Sequence, residues 1–188
     1  MSRQLRSVLV SRSPDQRAGN PASGRHLEAC PGCGLDLPHS DGPTHPYIGA
    51  SAACWALYGH VLNRAYGEPA CREVLQLVVD AYACQHPGEP GRRSAQSVGI
   101  HLMTLCMVIE DGADPRDGPK LHRRMVTRPS FTWLPPPPDR GEVTVRAVVD
   151  TTDAAAYVGA VHRWARAVWG AWDPHHGTVR AWIAPSPR

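Results

Sequence analysis

Six cysteines and ten histidines give this chain its widest chemical range, and two of the cysteines stand at a telling spacing. Cys30-Pro31-Gly32-Cys33-Gly34 sets two thiols two residues apart, close enough to grip one ion. Glycine after the second cysteine lets the backbone turn so that its amides face sulfur. This rubredoxin-like turn predicts a structural-type metal, with zinc as the cofactor. A tetrahedral site needs four ligands, however, and the chain has no second Cys-x-x-Cys pair. Cys54 is the third ligand, because it falls in the first turn of a helix capped by Ser51, where the helix dipole lowers a thiol pKa. A treble-clef site would draw two ligands from such a turn, but Ser51 stands in one of those places. The fourth ligand is then His45, a remote histidine or water, and water would give the site a catalytic pattern. A thioredoxin-type dithiol is the rival reading, and the helix-breaking run Gly34-Leu35-Asp36-Leu37-Pro38 speaks against it. Cys71, Cys84 and Cys106 lie within apolar, helix-like stretches and read as small buried hydrophobes.

A second constellation surrounds Asp80-Ala81-Tyr82-Ala83-Cys84-Gln85-His86. Tyr82 and His86 fall one helical turn apart, as do Ser97 and His101 on the next helix. A short loop makes these helices antiparallel neighbours, which brings His86 toward Ser97 and His101. Each histidine alone reads as a hydrogen-bonded helix-end or core residue. Together, Asp80, Tyr82, Gln85, His86, Ser97 and His101 are many polar groups for a purely structural pair. Either His86 and His101 complete the Cys30, Cys33, Cys54 site, or Asp80, Tyr82, His86 and His101 form a separate site. In the second case a neutral imidazole is a general base oriented by Asp80. Cys54, His101 and His86, in that order, are the residues expected to complete the cysteine turn. His175, after the last helix, is a further pocket candidate. His26, His39, His60, His122 and His162 read as surface residues.

The elements that must position these groups are mainly helical. Residues 1–28, rich in Arg, Ser, Pro and Gly without apolar periodicity, read as a flexible tail, and 29–188 as a single helical zinc-binding domain. Helices are predicted from Ser51 to Tyr66, stopped by Gly67; from Pro69 to Cys84, ended by His86-Pro87-Gly88; and from Ser94 to Gly112, the most hydrophobic and most central. A helical turn is expected around Leu121 to Val126. Pro135 to Pro138 forbid a helix and read as a rigid strap anchored by Trp133. Val143 to Val149 is a short strand or a helical turn. The last helix follows Asp153 as N-cap and carries Tyr157, Val161, Trp164, Ala165, Val168, Trp169 and Trp172 on one face, read as core rather than as an aromatic binding box. His175 to Trp182 reads as short and extended. The fold class is therefore a mainly α bundle of about four helices with an N-terminal metal-binding knuckle.

The ordered motifs Cys30-Pro31-Gly32-Cys33-Gly34, Pro46-Tyr47 with Ser51 and Cys54-Trp55, Asp80-Ala81-Tyr82 with Gln85-His86-Pro87-Gly88, Gln96-Ser97-Val98 with His101-Leu102, and Trp164-Ala165 with Val168-Trp169 and Trp172 resemble a bacterial family catalogued as a domain of unknown function. The resemblance spans about residues 30 to 182. It implies that these residues belong together, and it implies no reaction.

Composition narrows the function classes. With 188 residues and 42% hydrophobic content the chain can bury a true core. A net charge of +3 without a dense Lys/Arg run leaves no footprint for nucleic acid. Val8-Leu9-Val10 is too short for a signal-peptide core, and no stretch approaches the ~20 apolar residues of a membrane span, so a cytoplasmic protein is expected. The leading expectation is a zinc protein with a binding or scaffolding role. A metal-dependent enzyme acting on a small molecule through a zinc-bound water is the alternative, and a thiol redox protein the weaker one.

Overall fold

The computed structural model describes residues 26–125 and 131–184. The stretch before His26, most of the tail, lies outside the described residues, as does Val126. Leu27 and Glu28, which the sequence assigns to that tail, instead open strand β1 (Leu27–Ala29), paired antiparallel with β2 (Asp36–Pro38). The register Glu28↔Leu37 puts the cysteine turn at the hairpin tip. The strand escapes sequence reading because three residues are too few to show a period.

Eight helices follow among the described residues, rather than about four: α1 (Ala52–Gly67), α2 (Pro69–Arg72), α3 (Leu75–Gln85), α4 (Arg92–Ile109), α5 (Gly118–Met125), α6 (Val145–Val149), α7 (Ala154–Ala171) and α8 (His176–Ile183). Ser51 caps α1 by accepting from the Cys54 amide at 3.3 Å, and Asp153 caps α7 by accepting from Ala156 at 2.8 Å. The single predicted helix from Pro69 divides into α2 and α3, where the ladder tightens to a three-residue bond from the Val74 amide to Cys71. α4 begins two residues before Ser94, which is buried inside its first turn. Val143–Val149 resolves toward helix, as α6. The segment after Trp172 is a 3-10 turn and a helix, not extended chain. In the proline strap, Leu134 and Pro137 are buried while Trp133 is half-buried, so Leu134 is the deeper anchor.

The central helix is α3 rather than α4. Eight of its eleven residues are buried, and it packs against α1, α4 and α7. Its only charged residue is Asp80, the pattern of a helix enclosed on all sides. Enclosure requires its polar groups to find partners. Gln85 does so as a structural peg: Nε2 donates to the carbonyls of Arg140 (3.0 Å) and Val143 (2.9 Å), and Oε1 accepts from Trp164 Nε1 at 2.8 Å. α1 is tied to α7 by the Tyr157 hydroxyl, which donates to the Val61 carbonyl at 2.9 Å. No helix among the described residues is long and apolar enough to cross a membrane.

Candidate metal centre

The hairpin tip is a tight turn. The Gly34 amide donates to the Cys30 carbonyl at 2.8 Å and the Cys30 amide to the Leu35 carbonyl at 3.0 Å. Gly34 sits at φ 72°, a left-handed conformation that a side chain would strain. The turn presents Cys30 and Cys33 to the start of α1 and the end of α3. There the Cys33 and Cys54 sulfurs lie 3.9 Å apart, and Cys54 Sγ lies 3.4 Å from His86 Nε2. The donor atoms of Cys30, Cys33, Cys54 and His86 all fall within 4.8 Å of one another, a Cys3His group that could hold a metal ion.

The surroundings orient these donors. His86 Nδ1 is 2.9 Å from the Tyr82 carbonyl, which can only accept, so the ring proton sits on Nδ1 and the Nε2 lone pair faces sulfur. The Ser51 amide donates to Cys30 Sγ at 3.5 Å and the Tyr82 hydroxyl to Cys54 Sγ at 3.6 Å. Tyr82 also stacks on the His86 ring at 4.0 Å, so its role here is to wall and hydrogen-bond the cysteine group. Cys30, Cys54 and His86 are essentially buried, and Cys33 is half-buried.

Three thiols packed this closely, two of them buried, cannot all ionise without a cation. Cys30, which receives the Cys33 and Cys54 thiols as hydrogen-bond donors, is held well below the ordinary thiol range. The donor role pushes Cys33 up to about 11 and Cys54 far above the usual value, and burial adds to both. Without a metal, hydrogen bonding favours charge on Cys30, with Cys33 and Cys54 as the thiols that donate to it. A divalent ion would stabilise three thiolates together.

Gly32 is required by close approach. A Cβ there would stand 2.2 Å from His86 Cδ2 and 2.6 Å from the Gly49 carbonyl oxygen. Gly32→Ala is expected to push His86 out of line, lowering stability by about 1–3 kcal/mol and loosening metal retention. Thermal melts with and without added zinc check this; a variant indistinguishable from wild type in both would show that the turn has slack.

The other predicted residues divide. His101, expected ahead of His86 as a ligand of the cysteine turn, is not in that group: its Nδ1 lies 2.7 Å from Asp80 Oδ1. The reason is helical phase, since Tyr82 and Asp80 stand two residues apart on α3 and leave it on opposite sides. His122, read from the sequence as a surface residue, joins Asp80 there, with Nε2 3.1 Å from Oδ1. It was not recoverable locally, because a lone histidine on the short α5 carries no spacing signal. Ser97 borders the same cleft as His101 and His122. His45 lies in neither group and packs edge-on to Tyr47 at 4.3 Å. His175 lies in neither group, its Nε2 2.8 Å from the Pro135 carbonyl oxygen, and Gln85 is a structural peg whose side chain is occupied by Arg140, Val143 and Trp164.

Fold and site together define a mainly helical protein with a small N-terminal hairpin and a Cys3His group capable of holding a metal. Residues 28–173 match a family of unknown function, DUF5946, and the chain belongs to that family. No curated protein and no solved structure matches it.

Proposed function

We propose that the chain is a cytoplasmic zinc protein in which Cys30, Cys33, Cys54 and His86 hold one structural ion that pins the hairpin to α1 and α3. The observation that carries this reading is the His86 imidazole, directed at the cysteines through Nε2 while Nδ1 binds the Tyr82 carbonyl. A histidine held in this way is what metal-ligating imidazoles show. Three thiolates and one imidazole suit zinc in softness and number. Four protein donors fill a tetrahedron, which favours a structural ion over one that keeps a place for reactive water. A scaffolding or binding role follows, with the enzymatic alternative weakened at this site. The redox alternative gains nothing from a third thiol and an imidazole converging on the same point.

The test is the metal content of the full chain purified without added zinc. One zinc per chain, released when a mercurial blocks the thiols, is the expected result. A metal-free protein that instead carries a reducible Cys30–Cys33 disulfide would transfer the case to the redox reading. Cys33→Ser separates the roles of the ion: loss of the fold marks it as structural, whereas an unchanged melting temperature would refute that part of the proposal.

A further inference from the structure

On the far side of α3 from the cysteine group, Asp80, His101 and His122 bring three donor atoms within 4.8 Å of one another. Asp80 is fully buried, and its two oxygens are treated unequally. Oδ1 lies 2.7 Å from His101 Nδ1, 3.1 Å from His122 Nε2 and 2.9 Å from Gln76 Nε2, whereas Oδ2, also buried, meets no donor. Hydrogen bonding alone would spread three donors over the roughly four lone-pair sites of the carboxylate. A buried acceptor left bare is costly.

The protons make the difficulty sharper. Gln76 must turn its amide nitrogen toward Asp80, because its carbonyl oxygen would repel the carboxylate. Nε2 of His122, 3.2 Å from the same nitrogen and 3.1 Å from Oδ1, has one site to offer: as a donor to Asp80 it brings its N–H against the Gln76 amide hydrogens, and as an acceptor from Gln76 it leaves Oδ1 without its proton. Either way the donors crowd Oδ1 while Oδ2 stays bare, and a cation shared by the carboxylate and the two imidazoles would relieve the conflict.

We propose that Asp80, His101 and His122 form a second metal site, for a divalent first-row transition ion such as Mn(II) or Fe(II). Two imidazoles and one carboxylate are a ligand set that leaves coordination positions unfilled by protein, unlike the closed cysteine site. The imidazoles are 15% and 21% exposed, and they line a cleft of about 450 Å³ together with Tyr47, Arg93, Gln96 and Ser97. Arg93 supplies positive charge there, so the unfilled positions suit a small anionic oxygen ligand entering from the cleft. Gln76, hydrogen-bonded to Asp80, is a positioning residue rather than a ligand. The cysteine site is independent of this inference, and each can fail without the other.

The probe is Mn(II) added to the full chain with zinc already in the cysteine site, binding being read as loss of the free aqua-ion's paramagnetic resonance signal. One further equivalent is expected to bind. Asp80→Asn and His122→Ala abolish that uptake, Gln76→Ala weakens it by about 10–100-fold, and none of them changes the zinc released by a mercurial. Should Asp80→Asn fail to fold, His122→Ala, at a partly exposed position, carries the test. Wild-type protein that takes up neither Mn(II) nor Fe(II) saturably would overturn the proposal, as would uptake undiminished in His122→Ala.

Discussion

Stripping the cysteine-bound ion with a strong chelator is expected to lower the melting temperature by at least about 10 °C. For a chain of this size each kcal/mol is worth about 2–4 °C, and structural zinc contributes several kcal/mol or more to folding. The hairpin has only three-residue strands, too short to be stable alone. It is fastened by Leu37, buried in the core, and by the contact of Cys30 and Cys33 with Cys54 and His86, and the chain beyond it by the Gly49 amide donating to the His86 carbonyl at 2.9 Å. Residues 27–50 should therefore become the first segment cut in limited proteolysis of the stripped protein. A shift below about 2 °C, a change worth at most about 1 kcal/mol, would refute a structural ion.

Acid should act in the same direction as the chelator. In the metal-free group Cys30 is already a thiolate, while Cys33, raised to about 11, and Cys54, raised further, keep their protons at neutral pH. Binding must expel those two protons, so protons compete with the metal and lower pH weakens binding. Two protons per ion correspond to about a 100-fold loss of affinity per pH unit below the Cys33 value, through linkage. Calorimetric titration in two buffers of different ionisation enthalpy counts the released protons directly, and a count of zero or three would contradict this division of charge among the thiols.

What could be read in the sequence was whatever repeats or caps. Ser51 and Asp153 mark their helix starts, and the apolar face of α7 is buried as its spacing implied. The short elements, β1, β2, α2 and α6, lie below the length at which a period becomes visible. At the site, the cysteine turn and Cys54 were local signals, whereas the fourth donor depended on how α3 and α4 are rotated. Tyr82 and His86 share one side of α3, and Gln76 and Asp80, also four apart, share the other. Phase along α3 thus assigns His86 to sulfur and leaves Asp80 for His101. His122 reaches Asp80 only by tertiary packing of α5 against α4 and could not have been found by spacing.

Replacing Trp164 tests whether the aromatic face of α7 is core or binding surface. Trp164 is fully buried, and its indole nitrogen donates to Gln85 Oε1 at 2.8 Å. Trp172 and Trp169 likewise place their N–H groups on the Cys84 carbonyl at 3.1 Å and on Glu110 at 2.8 Å, leaving none of the three to a ligand. Trp164→Ala should cost about 3–5 kcal/mol for the lost ring and its cavity. A further ~1–3 kcal/mol comes from the stranded Gln85 oxygen, for a fall of roughly 8–30 °C at about 2–4 °C per kcal/mol. Trp164→Phe keeps most of the volume and should show mainly the Gln85 term. Gln85 precedes His86 and fastens the loop at Arg140 and Val143, so the damage should reach the metal. Faster zinc release in Trp164→Ala than in Trp164→Phe would trace that path from core to site. Unchanged melting temperatures in both variants would instead return the aromatic face to the role of a binding surface.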